Sequence, residues 1–267
     1  MKITVIGSGN MGGALIKGFM RQNISGIGGS GKFELTITAK TQNTLDQFKE
    51  RYPSIKTSLD NRVAVSEADV IILAVKPWLI EKVAKEISEV VDLHKQTLIS
   101  VAANVSTQKL LEYFGQEKGN VFYAMPNIAA EFGESMTFVA AAEGVSTEKI
   151  AEVETLLSEV GSVKVVEERL VASGMMMAGC GIAYVMRYIR AMMEGGVEMG
   201  FYPKDAQKIA MQTMKGAITL LEETGLHPEA AIDKVTTPGG TTIKGLNELD
   251  HSGFNSAVIN SLKAGLK

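Results

Sequence analysis

The stretch K-I-T-V-I-G-S-G-N-M-G-G-A-L-I-K-G-F-M, residues 2–20, decides the fold. Its first five residues read as a β-branched strand, and G-A-L-I-K-G-F-M reads as an apolar helix. Between them lies G-S-G-N-M-G, residues 7–12. A G-x-G-x-x-G is weak evidence in a chain with 27 glycines, but a strand before it and a helix after it are the context that the motif requires. Gly7 makes the turn, Gly9 lets the backbone approach a pyrophosphate, and Gly12 lets helix pack closely on strand. Ser8, Asn10 and Met11 complete a loop whose free N–H groups sit at a helix N-terminus, where negative charge is favoured. A dinucleotide-binding unit is the expectation.

Further along, apolar runs at 34–39, 69–74, 97–102, 120–124, 136–141 and 163–166 read as strands. Several are nearly unbroken apolar runs, as expected where a sheet is covered on both faces. Amphipathic segments such as N-T-L-D-Q-F-K-E-R-Y and W-L-I-E-K-V-A-K-E-I separate them. This alternation predicts an α/β fold: a Rossmann-type doubly wound, mostly parallel sheet over residues 1–165. From 166 to 267 the strands stop, and 183–200 and 203–225 carry long helical patterns. Nine of the 14 methionines fall between Met175 and Met214. Apolar residues on several helix faces suit a subunit interface, so the second domain is expected to be all-helical and to dimerise.

Composition excludes several classes. Net charge is −3, without the basic excess that sequence-independent nucleic-acid binding needs. One cysteine, Cys180, cannot form an internal disulfide and fits a cytoplasmic protein, and its apolar neighbours predict a buried thiol. The apolar start is too short for a signal peptide. The uncharged run Leu170–Met186 falls short of the roughly 20 residues a membrane span needs. His94, His227 and His251 show no metal spacing.

Which dinucleotide is bound turns on the end of the second strand, Thr38-Ala39-Lys40-Thr41. An NAD site usually carries Asp or Glu there; Glu34 stands at the opposite end. Lys40 attracts a 2′-phosphate and Thr41 can donate to it, so NADP(H) is expected over NAD(H). A-V-K-P (74–77) and A-M-P-N (124–127) follow strands at the ligand-binding edge of such a sheet.

Taken together, G-S-G-N-M-G, D-V-I-I-L-A-V-K-P, I-S-V-A-A, A-M-P-N, G-C-G-I-A-Y (179–184) and H-P-E-A-A-I-D-K-V-T-T-P-G-G-T-T-I-K-G resemble the pyrroline-5-carboxylate reductase family along the whole chain. The resemblance implies NAD(P)H-dependent reduction of 1-pyrroline-5-carboxylate to L-proline by a homodimer joined through its C-terminal helices, and it allows a larger ring of dimers. It implies cofactor contacts at Ser8 to Met11, Lys40, Thr41, Asn61, Ala74, Lys76 and Pro77. Ala102, Met125, Pro126 and Asn127 would lie toward the nicotinamide. Thr237, Gly240 and Thr241 would bind the substrate carboxylate, and the Thr242 hydroxyl would meet the ring nitrogen as the catalytic group. The chain departs from the family pattern at Ala178, Cys180 and Ile182, at Asn104 where the family tends to carry glycine, and at Ile128-Ala129. These departures bear on affinity and on the range of ring imines accepted.

The chemistry is compatible. An imine nitrogen can arrive protonated, so the protein needs to orient the ring, hold its carboxylate and offer a neutral hydrogen bond. Two alternatives stand beside this reading. A β-hydroxyacid-dehydrogenase-like NADP oxidoreductase needs an interdomain-helix lysine, yet none occurs between Lys164 and Lys204. A non-catalytic NADP-binding regulatory protein would explain the departures at 178–182, but not the retained P-G-G-T-T. Pro238 and the two glycines make a turn whose amides suit an anion, with Thr241 or Thr242 opening the next helix. Thr236 is left as the structural member of the four threonines.

Overall fold

The computed structural model describes residues 1–25 and 33–266. Among these, eight strands form one sheet in the order β3-β2-β1-β4-β5-β6-β7-β8. They are β1 (Lys2–Ile6), β2 (Glu34–Thr38), β3 (Lys56–Ser58), β4 (Val70–Leu73), β5 (Thr97–Ser100), β6 (Val121–Met125), β7 (Ser135–Ala141) and β8 (Gly161–Val165). Helices α1 (Asn10–Ser25), α2 (Gln42–Arg51), α3 (Asn61–Val65), α4 (Ile80–Ile87), α5 (Thr107–Tyr113) and α6 (Thr147–Ser158) connect them. Successive side chains of a strand face opposite sides. Val5 and Ile72 accordingly join one core with Leu15, Phe19 and Ile37, while Ile6, Ile71 and Leu73 join the other with Ile80 and Ala84. Both faces of β4 and β5 are covered, and every residue of each is buried.

Two features of the sheet differ from the sequence reading. The short edge strand β3 was not anticipated: Lys-Thr-Ser carries no apolar signal, and it forms by pairing with β2. β7 runs antiparallel to β6, with Tyr123 opposite Ala140. The link between them is a 3₁₀ turn, Ile128–Phe132, closed by Gly133 at φ +78°. It is too short for the crossover of a dozen or more residues that a parallel pair needs. Every other strand pair is parallel.

The chain divides into two compact units, Met1–Gly179 and Cys180–Lys267. Beyond 165, α7 (Glu168–Gly174) stays with the first unit because its Val171 is buried against Tyr123, Met125 and Ala140. A π turn, Met175–Cys180, follows. In the second unit α8 (Gly181–Glu198) and α9 (Pro203–Thr224) form a hairpin, and α10 (Pro228–Val235), α11 (Thr241–His251) and α12 (Phe254–Ala264) complete it. α8 and α9 approach closely where small residues meet, and a Cβ on Gly196 would lie 3.1 Å from that of Ala206. The Tyr188 and Phe254 rings meet at a tilt, with centroids 6.0 Å apart.

Two further expectations are corrected. Cys180 is half-buried rather than buried, since it stands at the root of a helix with little packed against it. The run read as too short for a membrane continues as one helix, Glu168–Glu198. Its 31 residues and an 18-residue window of mean hydropathy 1.4 make it long and apolar enough to cross a membrane by length and composition.

Candidate active site

In this sheet order the connections reverse direction between β1 and β4, where doubly wound folds open a crevice at the strands' carboxyl ends. A cleft of about 540 Å³ lies there, within the usual size of a ligand site. Its floor is the glycine loop. Gly7 has φ +98°, and a Cβ on it would meet the Ala74 carbonyl oxygen at 2.9 Å. A Cβ on Gly12 would lie 1.9 Å from the Gly7 carbonyl oxygen, so only glycine lets α1 start this close to the strand. Gly9 faces open space, with nothing within 4 Å of a Cβ position. The three glycines therefore do three different jobs: turn, open approach and packing. A backbone loop open at Gly9, at the N-terminus of a 16-residue helix without acidic residues in its first turn, fits a pyrophosphate.

The electrostatics agree. Lys40 and Lys76 line the cleft, and no carboxylate does. Neither lysine has an ion-pair partner among the described residues. Glu34, at the far end of β2, pairs instead with Lys56 at 3.1 Å. Ser8, Asn10 and Met11 line the floor, while Ala74, Pro77 and Ala102 line the walls. Thr44 also lines the cleft, and its hydroxyl lies 3.0 Å from that of Thr41, which does not. Val75, Leu79, Val101, Ala103 and Ile128 add apolar wall that the motifs did not single out. The signal for Thr44 was its place one turn into the helix after Lys40-Thr41.

Other expected residues lie outside the cleft lining. The Asn61 amide donates to Glu86 Oε1 at 3.1 Å. Met125, Pro126 and Asn127 are buried, and Asn127 caps the 3₁₀ turn through Oδ1, which accepts from the Ala129 N–H at 3.0 Å. Asn104 is the one non-glycine with positive φ, +62°, among the described residues. Asparagine tolerates that conformation better than most residues, so it can stand where a glycine would otherwise be favoured. Its N–H donates to the Tyr123 hydroxyl at 3.1 Å, and burial raises the pKa of that phenol.

In the helical unit the threonine-rich turn is sharply drawn. Gly239 has φ +72°, the Gly240 N–H donates to the Thr237 carbonyl at 2.9 Å, and α11 begins at Thr241 with Gly240 as its N-cap. A Cβ on Gly240 would come within 2.6 Å of the Thr237 hydroxyl. The Thr236 hydroxyl donates to the Asp233 carbonyl at 3.1 Å. The hydroxyls of Thr237, Thr241 and Thr242 have no protein partner among the described residues, and all three threonines are exposed. His227 is occupied elsewhere: its Nδ1 accepts from the Glu229 N–H and caps α10. Among the described residues no cluster of His, Cys, Asp and Glu could hold a metal.

Residues 168–267 match the pyrroline-5-carboxylate reductase dimerisation family, and residues 2–104 match the family described as NADP oxidoreductase, coenzyme F420-dependent. The chain is 34% identical over 234 residues to a pyrroline-5-carboxylate reductase of Synechocystis sp., covering 88% of this chain and 86% of that protein. It belongs to the pyrroline-5-carboxylate reductase family. Among solved structures, such a reductase from Coxiella burnetii is 28% identical, with a TM-score of 0.87 over 98% of this chain and 95% of that one. The Plasmodium falciparum pyrroline carboxylate reductase, solved with NADP bound, shares the fold. It matches with a TM-score of 0.85 at 23% identity, over 99% of this chain and 95% of that one. The pyrroline-5-carboxylate reductase dimerisation match covers all of α8 to α12, so the helical unit is a dimerisation domain.

Proposed function

We propose that this chain is a pyrroline-5-carboxylate reductase that reduces 1-pyrroline-5-carboxylate to L-proline and prefers NADPH to NADH. The observation that carries the reaction is the P-G-G-T-T turn, where three unpaired threonine hydroxyls stand at the N-terminus of α11. Thr237, Gly240 and Thr241 hold the substrate carboxylate, helped by the free N–H groups that open α11. The Thr242 hydroxyl accepts a hydrogen bond from the protonated ring nitrogen and fixes the imine carbon. When bound, the nicotinamide supplies the hydride. Because the imine arrives as its conjugate acid, reduction gives the neutral amine with no further proton from the protein. That is why the substrate-binding set contains neither histidine nor lysine.

On the cofactor side, Ser8, Gly9, Asn10 and Met11 cradle the pyrophosphate, and Gly7 and Gly12 shape the loop. Lys40 and the Thr41–Thr44 hydroxyl pair meet the 2′-phosphate, and Lys76 adds positive charge across the cleft. Ala74, Pro77 and Ala102 wall it, and Asn61, Met125 and Pro126 complete the assigned set from outside the lining, while Asn127 stands behind it. The working form is a homodimer, extended in this reading to a ring of dimers, in the cytoplasm. The long apolar helix 168–198 serves dimerisation, because the family match covers it from end to end.

Purified protein given 1-pyrroline-5-carboxylate should consume NADPH, with kcat/KM for NADPH about tenfold above that for NADH, which corresponds to ~1.4 kcal/mol. Inertness with both cofactors would support the non-catalytic alternative, and an NADH preference would overturn the role of Lys40. Thr242→Ala should lower kcat by ~10- to 100-fold, the scale of one lost orienting hydrogen bond. NADPH affinity should stay unchanged in a fluorescence titration. An unaltered kcat would remove Thr242 from the chemistry.

A further inference from the structure

We infer that Asn127 is a positioning residue, not a cofactor ligand: it locks the π turn from which the dimerisation helix starts. The inference rests on the reductase reading above. Asn127 is 8% exposed, and each of its own polar groups is engaged within the first unit. Its N–H donates to Ser135 Oγ at 3.0 Å, and that hydroxyl in turn lies 3.1 Å from Thr137 Oγ1 in a fully buried pair. Its Oδ1 accepts from the Ala129 N–H at 3.0 Å, and its Nδ2 donates to the Ala178 carbonyl at 3.3 Å. Turning the amide over would set a donor against a donor and an acceptor against an acceptor, so the two contacts fix one orientation.

The placement gives these bonds a consequence. Ala178 lies within the π turn Met175–Cys180, a rare helix form that interrupts the regular i→i−4 ladder, so that a bond from outside the helix bears on its geometry. Asn127 supplies that bond. On its other side it caps the 3₁₀ turn whose first residue, Ile128, lines the cofactor cleft. One buried side chain thus ties a wall of the cleft to the turn immediately before α8. Cysteine and alanine at 178–180 bring no hydroxyl that could hold the turn from within the helix.

Asn127→Ser tests this, since serine caps a helical turn nearly as well as asparagine but is too short to reach Ala178. Asn127→Ala removes both bonds and serves as the second variant. The chain has a single tryptophan, Trp78, between cleft residues Pro77 and Leu79, so its quenching reports NADPH binding independently of turnover. With wild-type turnover first established, Asn127→Ser should keep NADPH affinity within about twofold while kcat falls at least about tenfold. Amide exchange should accelerate across 175–180 but not across 128–132. In Asn127→Ala both segments should exchange faster. A fall in NADPH affinity matching the fall in kcat would make Asn127 a cofactor ligand and overturn the inference. Unchanged kcat with unchanged exchange at 175–180 would overturn it too. Failure of the wild type to reduce the imine would sink the reductase reading instead, and the exchange measurement would still judge the hold on the turn.

Discussion

Gly12→Ala and Gly9→Ala are expected to fail in opposite ways, although they lie three residues apart in one motif. At Gly12 the new methyl would sit 1.9 Å from the Gly7 carbonyl oxygen and 3.0 Å from the Ala74 side chain. Both obstacles belong to the strand ends that frame the loop, so the only relief is to move α1 away from the sheet. α1 carries Leu15, Ile16 and Phe19, all fully buried, and moving it loosens the core on that face. The expected cost is about 2–4 kcal/mol of stability, the upper range of overpacking in a tight core, read as a lower urea midpoint without cofactor. NADPH binding should fall with it, since the loop is no longer held in shape. At Gly9 a methyl meets nothing within 4 Å, so folding should change by less than about 0.5 kcal/mol, as for an ordinary surface change. NADPH affinity should nevertheless drop at least ~10-fold, or ~1.4 kcal/mol, because the methyl occupies the space that lets the pyrophosphate approach. Equal stability losses for the two variants would show that Gly9 is a packing glycine and that the cleft does not use the loop as a cradle.

This contrast also marks what the sequence could disclose. The glycine loop was legible because the motif encodes its own geometry: Gly7 and Gly12 avoid backbone clashes, and Gly9 leaves the approach open. The place of Lys40 on the cleft was legible in the same way, since strand, turn and helix are consecutive in the chain. β3 was not, because three polar residues become a strand only when β2 is beside them. The direction of β7 could have been argued from the shortness of 126–134, but periodicity alone says nothing about direction. Asn127 belongs to a harder class. Its neighbours in the sequence suggest a ligand-facing loop, whereas its partners, Ser135 and Ala178, lie 8 and 51 residues away. A polar residue whose role is to satisfy distant backbone cannot be told from a ligand contact without the fold. Asn104 falls between: a departure from a glycine pattern is unexplained until φ +62° shows why asparagine suffices.

The helical unit supports the second large prediction: the double variant Met186→Glu/Ile218→Glu should be monomeric and inactive. In residues 180–266 only Gly181, Gly196, Ala206 and Ala210 are buried. No large side chain in the five helices is fully shielded from water by its own chain. Meanwhile Met186, Met199, Tyr202, Ile209, Ile218 and Val258 are all at least 44% exposed. A helix pair joined by two alanines and two glycines cannot offset the entropy of ordering some 45 residues, at roughly 1–2 kcal/mol each for the backbone. The missing core is supplied by a second copy, so the dimer and the folded helical unit are one equilibrium. Two consequences follow for the wild type: its thermal midpoint should rise with protein concentration, and no folded monomer should appear on dilution. A glutamate at each of the two positions would be buried without a partner, at a cost of several kcal/mol per ion. Light scattering should then report a single chain, and the Thr237–Thr242 turn, carried on helices that no longer pack, should lose imine reduction. The first unit keeps its own two-sided core, so NADPH should still quench Trp78 in the variant. A wild-type monomer with a concentration-independent midpoint would refute the shared core. If that monomer also bound lipid vesicles, the apolar helix 168–198 would have to be reassigned to a membrane.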